Sequence, residues 1–486
     1  MEKLSDLRES AYFLDEGKIR DNIESLYKKD GDRTLACRWL YDYYLKEKGH
    51  FVWIDKYGVD CCADTLLTYI SCVGEMGFAS SLFGDNVIAR DLKRIRSLDF
   101  DDDENEINDV AARLEYRLTK AFLKYSSGQR FGFVNPQYLL NRLDTVENSS
   151  SRYPVYRRLF DIPIERPDNS FFVRALRCVT VDSIGRFLAA IQPQDTLYYQ
   201  LQKELKSAEG KEYRNKIICN MERCRWREKE RQNRSGKYII VNIPAFHLYA
   251  FAGDSVMDMK IGCGTRKTKT PLLTSAIERM EVNPVWNIPM SIIRNEVAPH
   301  AGDIDYFERN RYYIVHRESG EQISPEEVTA AMLKSGNYRV AQEGGAGNSL
   351  GRIVFRFANN FSVFLHDTSS RGFFARDNRG VSHGCVRVQR PFDLALFLLD
   401  KPDEWLLDRL RISMDIPPTT PRGLKYVANE DNSRELVRSL SVSPHVPLAI
   451  LYYTIYPEPS SGRLVGYPDV YGYDDIICQD IKPYLE

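Results

Sequence analysis

Apolar residues recur at helical spacing through the first half of the chain. In DDDENEINDVAARLEYRLTKAFLKYSSG, positions Ile107, Val110, Ala111, Leu114, Leu118 and Phe122 form one stripe, which predicts an amphipathic helix. Asp101 to Asp103 offer N-caps and an acidic first turn, and Gly128 is expected to end the helix. CCADTLLTYISCVGEMG, Cys61 to Gly77, reads the same way and closes at Gly77. A third helical stretch covers about 179–210, with a break at Pro193. No repeat of fixed period is evident.

Near Ser235 and Gly236 the pattern changes. KYIIVNIPAFHLYAFAGDSVMDMKIGCG consists of short β-rich runs separated by Pro244 and Gly253-Asp254, which predicts hairpins. GRIVFRFANNFSVFLHDT predicts two more strands around an Ala358-Asn359-Asn360 turn. In the second, Phe361, Val363 and Leu365 alternate with Ser362, Phe364 and His366. His366 therefore ends a strand on the side opposite the apolar set. Between these β regions, about 295–340 is charged, aromatic and partly helical, and reads as an insertion over the sheet. RPFDLALFLLD predicts a helix with Pro391 in its first turn. VPLAILYYTIYP, Val446 to Pro457, reads as a further strand. The expected fold class is α+β, with a helical domain over 1–235 and a β-rich domain over 236–486.

Composition narrows the picture. A chain of 486 residues is too long for one ordinary core. With 67 Lys plus Arg against 68 Asp plus Glu, no global basic field exists to hold nucleic acid or anionic lipid. The basic run RCRWREKERQNR, Arg223 to Arg234, reads as a solvated helix end. No window has the roughly 18 apolar residues of a spanning helix. The opening MEKLSDLRES lacks the apolar core of a secretory signal. The spacing of the ten cysteines matches no zinc ribbon or finger, and most read as small buried hydrophobes.

The chemistry concentrates in SHGCVR, Ser382 to Arg387. A nucleophilic cysteine acts as its thiolate, and a neighbouring imidazole can stabilise that anion as an ion pair and carry its proton to a leaving amine. His383 is two residues from Cys385 and would share its face in a strand. His366, nineteen residues earlier, could face the thiol from an adjacent strand and is the expected base. Gly384 allows close backbone approach, and the amides of Gly384 and Cys385 could form an oxyanion hole. Arg387 suits a substrate carboxylate. Two alternatives stay open: a structural thiol, and a zinc site of His366, His383 and Cys385, which lacks a fourth ligand.

HDTSSRGFFARDNRGVSHGCVRV, His366 to Val388, resembles the active-site signature of the YkuD-type L,D-transpeptidases. YIIVNIPAFHLYAF is similar to that family's opening hairpin, and TPLLTSAIERMEVNPVWNIP to the stretch leading to its substrate lid. QEGGAGNSLGRIVF resembles the loop before its catalytic strand, though with glycines where prolines are usual. VWIDKYGVDCCADTLLTYI is similar to the scaffold of the large YcbB-like subgroup.

The resemblance implies a β-sandwich-like catalytic domain whose insertion acts as a lid, and a periplasmic enzyme acting on peptidoglycan. Donor and acceptor stem peptides would be its partners, and no cofactor or metal is implied. Cys385 would attack the third residue of a tetrapeptide stem and expel D-alanine, and a second stem would take the acyl group to give a 3-3 cross-link. Water as acceptor would make the protein an L,D-carboxypeptidase, and a lapsed site would leave a cell-wall-binding protein. By the same resemblance, Cys385 is nucleophile and His366 base, held by the carbonyl of Asp367. His383, Gly384 and Ser382 support the motif, Arg387 contacts substrate, and Trp286 lines the donor groove or else a core. Acylation by carbapenems is also implied. The expected export signal is absent from the sequence, and a membrane tether would belong to a missing N-terminal segment. Oligomeric state is not legible.

Overall fold

The computed structural model describes residues 13–101, 105–146, 153–230 and 236–485. The long helix Ile107–Phe131 runs through the helical half, and Val110, Leu114, Leu118 and Phe122 are fully buried in its core. Gly128 does not end this helix. It lies inside, against the Phe133 ring, and the helix runs on to a cap at Gly132. Glu106 takes the N-cap position. Of the predicted caps, Asp101 precedes the helix, while Asp102 and Asp103 lie outside the described residues. Cys62–Ser71 and the turn Val73–Met76 close at Gly77, as the pattern predicted. Pro193 separates Ile184–Ile191 from Thr196–Ser207.

The start of the basic run is buried rather than solvated. Arg223 and Arg225 are buried, on a helix spanning Lys211–Arg225. Arg223 pairs with Asp474 at 2.6 Å, and Arg225 pairs with Glu222 at 3.3 Å. Arg225 also donates to Gln129 and Tyr198 at 2.9 and 3.0 Å. Charge counted along the chain conceals these pairings, because most of the partners come from other helices. Arg231 and Arg234 lie outside the described residues. The C-terminal helix Tyr473–Ile481 packs Ile477 and Ile481 into the same helical core.

The β-rich half is built on eight strands: β1 Lys237–Asn242, β2 His247–Ala252, β3 Ser255–Gly264, β4 Leu272–Val282, β5 Ile353–Phe357, β6 Leu365–His366, β7 Val386–Val388 and β8 Ser439–Leu451. Their order is β5-β6-β7-β3-β2-β1-β8-β4, and β4 pairs back onto β5, so the sheet closes on itself. Closure buries Leu248, Ile261, Ile277, Phe355, Leu365, Val386 and Leu448 inside and leaves these eight strands without an exposed edge. The two-residue strand Phe160–Asp161 adds to β4 from the helical half. The strand predicted over 361–366 shortens to Leu365–His366. Asn359 folds the preceding residues into a turn, its Oδ1 accepting from the amides of Phe361 and Val363.

A separate unit hangs between β4 and β5, whose end residues Val282 and Ile353 face each other in register. It has a four-stranded sheet including Trp286–Asn287, Tyr312–His316, Gln322–Ile323 and Tyr338–Gln342. Ile288, Ile293, Phe307, Ile314, Leu333 and Val340 form its own apolar core. The glycine-rich loop after it is pinned by Asn348, fully buried, whose Nδ2 donates to the carbonyls of Pro284 at 3.1 Å and Glu343 at 2.7 Å.

Candidate active site

The site lies on the seam between β6 and β7, which run parallel. Leu365 faces Val386 across this seam, and both are buried in the sheet core. Their neighbours His366 and Arg387 are also paired and so project from the opposite face. Cys385 stands two residues before Arg387, and alternation carries it to that same face. Both His366 and Cys385 lie close enough to Arg387 to feel its charge.

His366 is buried, and its Nδ1 donates to the Asp367 carbonyl at 2.5 Å. A carbonyl only accepts, so Nδ1 carries the ring proton and Nε2 keeps its lone pair. Asp367 is itself braced. Its carboxylate accepts from Arg371 at 3.0 Å and from the Arg352 amide at 2.9 Å. Gly351 makes this possible, because a Cβ there would sit 2.5 Å from the Asp367 carboxylate. Asp367 thus acts through its carbonyl as a positioning residue.

The turn carrying Cys385 is held equally firmly. Ser382 Oγ donates to the Cys385 carbonyl at 2.6 Å and accepts the Gly384 amide at 3.1 Å. Thr268 Oγ1 donates to the Ser382 carbonyl at 2.8 Å, and Thr270 Oγ1 to the Gly384 carbonyl at 2.9 Å. Gly384 has φ +122°, a dihedral that residues with a Cβ rarely adopt. This bend lies between the strand ending at Ser382 and β7, so no continuous strand puts His383 on the thiol's face. His383 is instead exposed and pairs through Nε2 with Glu296 of the inserted unit at 2.7 Å. The Gly384 amide, already bound to Ser382, is not free for an oxyanion. The Cys385 amide makes no hydrogen bond among the described residues and is the donor that remains.

Electrostatics at the seam differ from the expected ion pair. Burial pushes the Cys385 thiol up, opposed by the Phe364 amide and by Arg387 and Arg356. Burial, and then the charge of Arg387, lower His366 to about 4. Both groups are therefore neutral near pH 7. The low-dielectric seam disfavours charge on either, and the positive charge on this face is already supplied by Arg387. The sulfur lies 3.9 Å from the Ser362 carbonyl. Arg387 is half-buried near the Phe373 ring, its Nε without a hydrogen-bond partner among the described residues. Trp286 is half-buried against the core of the inserted unit. His366, Cys385 and Arg387 thus share one face, whereas His383 contacts the insertion and Trp286 packs within it. Among the described residues no cluster of three or more metal-ligating side chains forms.

His366 makes stability pH-dependent in a stated direction. The unfolded chain takes up this proton near pH 6.5, the folded one only near 4. Stability is then lost as pH falls through that window, by about 3 kcal/mol between pH 7 and pH 4. His366→Gln, with nothing to protonate, should lack this component. Urea unfolding of both proteins at the two pH values measures it, and equal losses would contradict the assignment.

Sequence reasoning missed Glu296, Arg371 and the threonines of TRKTKT (Thr265 to Thr270). The spacing of Arg371 four residues after Asp367 was a usable signal, but nothing in sequence ties Glu296 to His383.

Residues 236–405 match the L,D-transpeptidase catalytic domain family YkuD, and residues 38–205 match a scaffold domain family. A protein of Haemophilus influenzae that carries a provisional L,D-transpeptidase name is 28% identical over 335 residues. That match covers 66% of this chain and 63% of the relative. Both matched regions fall where the geometry separates helical scaffold from closed sheet. The chain therefore has the architecture of a YkuD-type L,D-transpeptidase catalytic domain joined to a scaffold domain.

Proposed function

We propose that this chain cross-links peptidoglycan stem peptides in the periplasmic cell envelope by cysteine acyl transfer. The observation that carries the reading is the parallel seam, where a tautomer-fixed His366, the Cys385 thiol and a partly unpartnered Arg387 share one face. Both reacting groups start neutral, so His366 Nε2 takes the thiol proton as sulfur attacks the carbonyl of the third residue of a tetrapeptide stem. The developing oxyanion faces the Cys385 amide. His366 then returns the proton to the departing D-alanine amine. A side-chain amine of a second stem attacks the thioester, giving a 3-3 link and freeing the thiol. Arg387 holds a donor carboxylate through paired hydrogen bonds.

Incubation with tetrapeptide-bearing muropeptides tests this. The expected product is a dimer lighter than two substrates by one alanine, with an acyl-enzyme trapped on the Cys385 peptide. Tripeptide monomer alone, with acceptor in excess, would assign hydrolysis instead. Turnover with no covalent adduct at Cys385 would reject the mechanism.

A further inference from the structure

Cys219 and Cys478 come from opposite halves of the sequence and meet in the helical core. Cys219 lies mid-way along the helix Lys211–Arg225 and is fully buried. Its sulfur contacts the Asp474 carbonyl at 3.3 Å. Asp474 sits one helical turn before Cys478 on the C-terminal helix Tyr473–Ile481, so the Cys478 side chain falls beside the Cys219 sulfur. Each thiol bears on the other's titration, raising Cys219 and lowering Cys478. Around them the two helices are already locked: Arg223 pairs with Asp474, and Asn220 and Asp474 both bind Thr454, at 2.7 and 2.6 Å. Little relative motion is left for the pair, so the thiols stay facing each other.

We propose that Cys219 and Cys478 form a disulfide when the protein meets a thiol oxidant, stapling the C-terminal helix to the scaffold. The entering thiol is Cys478. It is half-buried where Cys219 is enclosed, and its interaction with Cys219 draws its pKa down to about 7, which favours attack near neutral pH. The oxidant is a disulfide, either a small molecule or an oxidised dithiol protein. The Cys478 thiolate attacks one of its sulfurs and expels a thiolate. Cys219 then attacks the Cys478 sulfur of the mixed disulfide and expels the second. Two electrons pass from the protein thiols to the oxidant, and the two protons end on the released thiols.

The staple would close a loop between residues far apart in sequence, which restricts the unfolded chain more than the folded one. It also bears on the site. Tyr471, just ahead of the stapled helix, accepts from the Thr270 amide at 3.1 Å and donates to the Gly264 carbonyl at 2.8 Å. Thr270 in turn holds the Gly384 carbonyl. The tail thereby backs the turn that presents Cys385.

The experiment uses the full chain treated with oxidised glutathione at pH 7.5, then alkylated and digested. The expected result is one peptide pair linked through Cys219 and Cys478, with a midpoint of thermal unfolding several degrees above that of the reduced protein. Cys478→Ser, at a half-exposed position, should abolish both the link and the shift while retaining the fold. Stable glutathione adducts at Cys478 without transfer to Cys219 would overturn the proposal, as would free, alkylatable Cys478 after oxidation. Because the readout does not involve turnover, it is independent of the acyl-transfer reading.

Discussion

Cys385→Ala is expected to abolish cross-link formation, lowering turnover by about ten-thousand-fold or more, because no other group at the seam can form the acyl intermediate. The thiol has no structural role large enough to confuse this outcome. It is half-buried, and its side-chain hydrogen bond among the described residues, to the Ser362 carbonyl, is long. The turn is held instead by the Ser382 hydroxyl and the threonines behind it. Thermal unfolding should therefore be almost unchanged while dimer formation is lost. A carbapenem should acylate the parent protein at Cys385 and leave the alanine variant at its unmodified mass. Retention of dimer formation by the variant would assign the chemistry to another residue.

Replacing His366 by alanine should cost about 10² to 10⁴ in kcat/KM, the usual contribution of a positioned general base. The distinguishing measurement is thiol alkylation against pH. With the thiol raised by burial and the imidazole neutral, the parent protein should react near pH 7 with Nε2 accepting the proton as the new bond forms. The variant should react more slowly there and catch up at alkaline pH, where hydroxide strips the thiol without help. The parent should keep its advantage down to about pH 5, since the ring stays neutral until near 4. Matching rates at all pH values would remove His366 from the reaction. A preformed ion pair predicts something different: the ring already carries its proton, so the parent would be at its thiolate plateau by pH 7 and would lose reactivity only where the thiolate itself protonates, well below the ordinary thiol range.

The division into a helical half and a β half was readable because the hydrophobic period changes from 3.6 to 2 near residue 236, and the structure follows it. His366 at a strand end, with Leu365 inward, was readable because these two residues are a true strand, whereas the alternation read over 361–364 gives way to a turn. What pattern could not supply was long-range electrostatics. Arg223 and Arg225 look like solvent-facing charge in sequence, and only the fold brings Asp474 and Gln129 to them. The neutral pairing at the seam was hidden likewise, because burial and the charge of Arg387 are properties of the assembled face. His383 escapes strand alternation for a local reason: Gly384, with φ +122°, interrupts the strand before Cys385.

The inserted unit leaves and rejoins the closed sheet at Val282 and Ile353, partners on one rung of the ladder, and carries its own core. Exchanging the unit for another self-contained one would keep those two attachment points, provided Gly351 and Arg352, which brace Asp367, stayed in place.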